Sequence, residues 1–86
     1  MSRLEKLCKL NMKMKLLNRI IEQSNKDLHY LFDADICELT NWEKEFLDEI
    51  NVSYKEGNAV VISWKESQVL KIKEEFEKLK IQKEFI

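Results

Sequence analysis

The sequence predicts an all-α domain of three to four helices built on a helical hairpin. Three observations carry that prediction. Apolar residues recur at helical spacing, as in Leu7, Leu10, Met14, Leu17 and Ile21, the pattern of a helix packing along one seam. The 86 residues contain no proline and a single glycine, Gly57, so little interrupts a helix and few tight turns can be built. Residues 40–43 and 63–66 both read Ser/Thr-x-x-Glu ahead of an apolar repeat. In such a box the hydroxyl accepts from the backbone N–H three residues on, and the glutamate reaches back to the cap's own N–H.

The first helix is predicted over about residues 2–25. Beside its main seam runs a second stripe, Cys8, Met12, Leu16 and Ile20, giving an apolar face wide enough for two neighbours. Residues 24–38 leave several readings open. They are a separate helix through Leu28, Leu31, Phe32 and Ile36, a continuation of the first helix to about residue 32, or, less favoured, a short strand over 28–32 that lacks an evident partner. The second helix starts at Leu39 and Thr40 and buries Trp42, Phe46, Leu47, Ile50 and Tyr54. It is expected to end near Lys55, with Gly57 as its left-handed terminator. The β-like run Ala59, Val60, Val61, Ile62 reads as an extended connection. A third helix follows over about 64–83, with a seam of Val69, Ile72, Phe76 and Leu79 and an ion pair between Glu74 and Lys78. Trp42, Phe46, Ile50, Ile72, Phe76 and Leu79 are expected to share one core.

The length fits one domain, residues 1–86. A chain of this size buries roughly 60–65% of the surface its unfolded form exposes, so the core is thin. Hydrophobic content of 44% with 36% charged residues separates the chain from disordered sequences. Lysines interrupt every apolar run near the N-terminus, so neither a secretory signal nor a membrane span is predicted. Cys8 and Cys37 show no Cys-x-x-Cys spacing. They are read as free, buried thiols in a reducing cytoplasm.

Charge is unevenly spread behind a net of −1. Residues 1–20 carry Arg3, Lys6, Lys9, Lys13, Lys15 and Arg19 against Glu5 alone, a net of +5. Residues 21–50 carry nine acids against Lys26 and Lys44, a net of −7. Such asymmetry points to neutralisation between elements or to charged partners.

The run Leu39, Thr40, Trp42, Glu43, Phe46, Leu47, Ile50, then Ser63, Trp64, Lys65 leading to Val69 and Leu70, resembles a small helical hairpin common in phage and mobile-element proteins. The likeness covers about residues 39–72. Glu66 stands where that family carries glutamine, Lys73 where it carries isoleucine, and its frequent Cys-x-x-Cys ribbon has no counterpart. The resemblance implies a helical fold and a phage-like origin, and brings no catalytic residue with it.

Catalysis has little to build on. His29 is the single histidine, no glycine-rich turn presents a nucleophile or cradles a phosphate, and His29 with Asp33 falls short of a zinc ligand set. No catalytic, cofactor or metal site is predicted. The sequence instead points to a non-enzymatic interaction module or small phage-like inhibitor that docks a larger protein. Its candidate binding residues are the six bases of residues 1–20 and the acids Asp33, Asp35, Glu38, Glu45, Asp48 and Glu49, the latter able to mimic phosphates in a basic groove. Two alternatives stand beside it. The bases Arg3, Lys6, Lys9, Lys13, Lys15 and Arg19 could contact nucleic acid, or the first helix could form a homo-oligomer through Leu7, Leu10, Met14, Leu17 and Ile21.

Overall fold

A computed structural model describes residues 2–85. It is a mixed α and β fold, which corrects the all-α helical bundle expected from the sequence. The order is α1 (Arg3–Gln23), β1 (His29–Phe32), α2 (Asn41–Glu49), β2 (Ser53–Lys55), β3 (Val60–Ser63) and α3 (Glu66–Glu84). The strands form one antiparallel sheet in the order β1-β3-β2.

The β-branched run of β3 is the centre of that sheet, not a connection. Val, Ile and their like pack well on a pleated surface, and β3 offers a ladder to a strand on either side. His29 to Phe32 pair with Ser63 to Val60 on one edge, and Ser53 to Lys55 pair with Ser63 to Val61 on the other. The segment 28–32, whose strand reading lacked a partner, finds it 30 residues on. Alternation then sorts the side chains. Val60 and Ile62 are buried with Tyr30, Phe32 and Tyr54 half-buried beside them, while Leu31, Lys55 and Ser53 stand exposed.

The helix boundaries shift for local reasons. Ser2 caps α1, its Oγ accepting from Glu5 N–H at 3.2 Å. α2 stops at Ile50, not near Lys55. Asn51 takes the left-handed conformation at φ 57°, Val52 N–H donates to the Leu47 carbonyl at 2.9 Å, and Asn51 N–H donates to Asp48 at 3.2 Å. These bonds make a Schellman ending on an asparagine, six residues before Gly57, whose φ is not positive. The link between α2 and α3 is thus a β-hairpin. α3 begins two residues later than the box at Ser63 implied. Lys65 is its cap residue and donates its N–H to Gln68 Oε1 at 2.6 Å, and Gln68 Nε2 donates onward to the Asn51 carbonyl.

One apolar cluster holds these elements together. Leu16, Leu17 and Ile20 of α1, Phe46 and Leu47 of α2, Val60 and Ile62 of β3, and Ile72 and Leu79 of α3 are buried, with Leu39, Val52 and Trp64 from the connections. Trp42, Ile50 and Phe76 pack against the cluster half-buried, so the six residues expected to share a core do so. α1 lies along α3 and against β1. Two smaller expectations are corrected. Both cysteines are free and exposed, and Lys78 pairs with Glu75 at 3.6 Å in place of Glu74.

Candidate functional surface

The N-terminal half of α1 extends past the cover that β1 provides. Leu16 and Ile20 of its second stripe are buried, but Leu4 is 76% and Met12 45% exposed, and Cys8 is exposed between them. These three stand at i, i+4 and i+8, hence on one side of the helix. With Leu7, Asn11 and Lys15 they line a shallow groove along α1. The groove shares Met12 and Lys15 with a more enclosed cleft of about 240 Å³. Leu16, Phe32, Ile36 and Trp42 supply that cleft's apolar wall, and Lys15, Arg19, Asp33 and Glu43 its charged groups.

The loop that builds the cleft is fixed by hydrogen bonds. Asp33 sits at φ 47°, its Oδ1 accepts from Asp35 N–H at 3.2 Å, and its carbonyl accepts from Ile36 N–H at 3.0 Å. Aspartate tolerates this conformation because its short carboxylate bonds locally. Val60 N–H donates to the Ile36 carbonyl at 3.2 Å, pinning the loop to β3. At the start of α2, Glu43 is buried at 7% exposure. Its Oε1 accepts from Thr40 N–H at 2.8 Å and from Thr40 Oγ1 at 2.6 Å. The glutamate makes the return half of the box as expected. The Thr40 hydroxyl, expected to accept, donates to that same oxygen. Both acids of the cleft are therefore engaged within the fold, and Glu43 is withdrawn from solvent.

The six bases of α1 do not form one face. Lys15 and Arg19 line the cleft. Lys13 reaches back to place Nζ 5.1 Å from the centroid of Phe46. Lys6 lines a separate depression with Leu10, Ile81, Gln82 and Phe85. Arg3 is exposed in the first turn, and Lys9 is partly covered. Of the acids, Asp33 joins the cleft, while Asp35, Glu38, Glu45, Asp48 and Glu49 are exposed on the loop and on α2. Among the described residues no ion pair joins Lys6, Lys9, Lys13, Lys15 or Arg19 to these acids. Pairs that do form include Lys44 with Glu56 at 3.3 Å, Lys80 with Glu77 at 3.6 Å and Lys78 with Glu75, and His29 Nδ1 lies 3.2 Å from Asp27 Oδ1. The cleft nonetheless sets Lys15 and Arg19 on the same walls as Asp33 and Glu43.

Met12, Phe32, Ile36 and Trp42, which shape the surface, were readable as apolar residues but not as a site. Their convergence depends on β1 turning back toward α1. His29 faces Asp27 and not Asp33, and among the described residues no group of three or more His, Cys, Asp or Glu side chains is placed to hold a metal. No described helix is long and apolar enough to cross a membrane.

Comparison with known proteins finds no matching family model, no matching curated protein and no matching solved structure.

Proposed function

We propose that this chain is a non-enzymatic protein-interaction module, of the kind a phage-like element uses to dock on a larger protein, and that it binds through the outer side of α1 and the adjoining cleft. The observation that carries the reading is the row Leu4, Cys8 and Met12, exposed and continuous with an apolar cleft. An exposed apolar row that runs on into a cleft gives a partner a place to dock. The cleft's own chemistry favours binding over catalysis. It has no histidine, cysteine or hydroxyl side chain among its described lining residues, and its carboxylates are committed to the Thr40 cap and the Asp33 turn.

The other two readings draw less support. Dispersal of the bases over several environments speaks against a nucleic-acid face, which needs a continuous basic track. A homo-oligomer through Leu7, Leu10, Met14, Leu17 and Ile21 conflicts with the burial of Leu17 and the partial burial of the other four.

The test is capture of a protein from extract of the native host by wild type and by Met12→Glu, with a thermal melt of each. The expected result is a partner bound by wild type, lost in the variant, with unchanged melting. Equal capture by both would count against this surface. A gel shift with duplex DNA at two salt concentrations separates the nucleic-acid reading.

A further inference from the structure

We propose that a partner protein adds an extended strand to the free edge of β1. The proposal rests on the interaction reading above and names the form of the segment that enters the cleft. β1 is an outer strand of the sheet, paired with β3 alone. Trp64 N–H donates to the Leu28 carbonyl. By the alternation of an antiparallel ladder, Leu28, Tyr30 and Phe32 therefore turn their backbone groups toward β3. The N–H and C=O of His29 and Leu31 point the other way. Among the described residues no hydrogen bond from outside the sheet meets them, and both residues are exposed. Unmet backbone donors and acceptors along a strand edge are a template for one more strand. β2 is the weaker candidate, since its register turns outward Tyr54 alone.

The hollows beside β1 have the spacing of a strand. Tyr30 and Phe32 lie on the inner face of the sheet, two residues or about 7 Å apart. Phe32 lines the cleft, with Ile36 and Trp42. Tyr30 lines a polar depression with Glu22, Gln23 and Lys26. Arg19 lines both, so the two are neighbours between α1 and β1. A strand laid beside β1 sends alternate side chains to the inner face at the same interval. One enters the cleft and the next enters the depression. The ladder then supplies affinity and the hollows supply specificity. The segment that fits carries a large apolar residue for the cleft and a hydrogen-bonding residue two places away. A second copy fits less well. Two β1 strands paired about Tyr30 would set Asp27 opposite Asp33, and like charges across a ladder are unfavourable. Paired about Leu31, the ladder would run into Asp33, whose φ of 47° takes the chain out of the strand.

The experiment titrates the full chain with a nine-residue peptide in which threonine alternates with valine, phenylalanine, glutamine and valine. Two further peptides are N-methylated, one at the threonine amides, the other at the amides between them. Amide exchange at His29 and Leu31 and the Trp42 indole signal, both read by NMR, report binding. The expected result is that the unmethylated peptide slows exchange at both residues at least tenfold and shifts the indole. One methylated peptide should lose at least tenfold in affinity and the other keep it, because only one set of amides can face β1. Alanine in place of the peptide's phenylalanine should weaken binding at least tenfold. Leu31→Pro removes one outward N–H and should weaken the peptide likewise, with an unchanged thermal melt; if that variant melts early, the methylated pair decides alone. Binding that shifts the indole without slowing exchange at His29 and Leu31, or that is indifferent to both methylation patterns, would overturn the added strand and leave the cleft reading intact. No binding would overturn the proposal, and capture in host extract that still depends on Met12 would then keep the broader reading. Slow exchange at His29 and Leu31 without peptide, with mass doubling at high concentration, would overturn it in favour of a second copy.

Discussion

The rings of Tyr30 and Trp64 pack 6.2 Å apart between centroids, tilted by 56°, and the phenolic oxygen of one and the indole nitrogen of the other are both buried without a hydrogen-bond partner. Trp64 N–H meanwhile donates to the Leu28 carbonyl at 2.8 Å, extending the β1 to β3 ladder by one step. The backbone is satisfied there while the two side-chain polar atoms are not. Burial pushes the Tyr30 phenol well above its ordinary pKa, with Arg19 opposing and Glu43 adding to the rise. An unfolded tyrosine ionises near pH 10, whereas the folded one holds its proton further up. Above about pH 10 the folded state therefore binds more protons, and stability falls as pH rises. Tyr30→Phe should lessen that alkaline loss. At neutral pH it should leave stability unchanged or raise it by about 1 kcal/mol, because an unmet buried hydroxyl is removed. Urea melts of both proteins at neutral pH and above pH 10 check this.

Phe46 anchors the core where α1, α2 and the sheet meet. It is 1% exposed and carries the Lys13 ammonium near its ring. Phe46→Ala should cost about 3–5 kcal/mol through lost transfer energy and a residual cavity. An unchanged thermal melt would contradict the packing described.

At the start of α2 the acceptor matters more than the hydroxyl. Glu43→Ala leaves the Thr40 N–H and Oγ1 without the oxygen that receives them, and should cost about 1–3 kcal/mol. Glu43→Gln keeps an acceptor and should cost less. Thr40→Ala should fall in the range of about 0.5–2 kcal/mol seen for caps. Equal losses for all three would show that the carboxylate has no special part.

Helices were legible because their signals are long and local. The seam of α1 and that of α3 each run through several turns, and the box at Thr40 marks a true helix start because an apolar repeat follows at once. Ser2 and Glu5 form the same signature at the start of α1. The strands were hidden by length. Three or four residues give too few alternations to reveal a period of two, and β1 finds its partner only across α2. Ser63 then misled, since its position before Glu66 fits a cap and a central strand equally well. The candidate surface was half legible. The second stripe of α1 could be seen to need cover, but which half β1 would reach depended on a strand the sequence did not reveal. For the same reason Leu17→Glu, a natural probe of an exposed seam, would unfold the protein, as Leu17 is fully buried. Met12 is the position that reports on the surface.

The last prediction contrasts the two residues that competed to end α2. Asn51 occupies the left-handed region at φ 57° and lends its carbonyl to Gln68 of α3. Gly57 lies in the hairpin turn without a positive φ, and a Cβ added there would meet nothing within 4 Å. A glycine that does not use its freedom weakens the fold by leaving the unfolded chain more conformations. Gly57→Ala should therefore stabilise by about 0.4–1 kcal/mol. Asn51→Ala should destabilise by about 1–2 kcal/mol, the cost of a Cβ in left-handed backbone without asparagine's local bonding. Asn51→Gly should lie near wild type. Denaturant midpoints for the three variants settle the order. Were Gly57→Ala the damaging change and Asn51→Ala the harmless one, α2 would have to run on toward Gly57, and β2 could not pair as described.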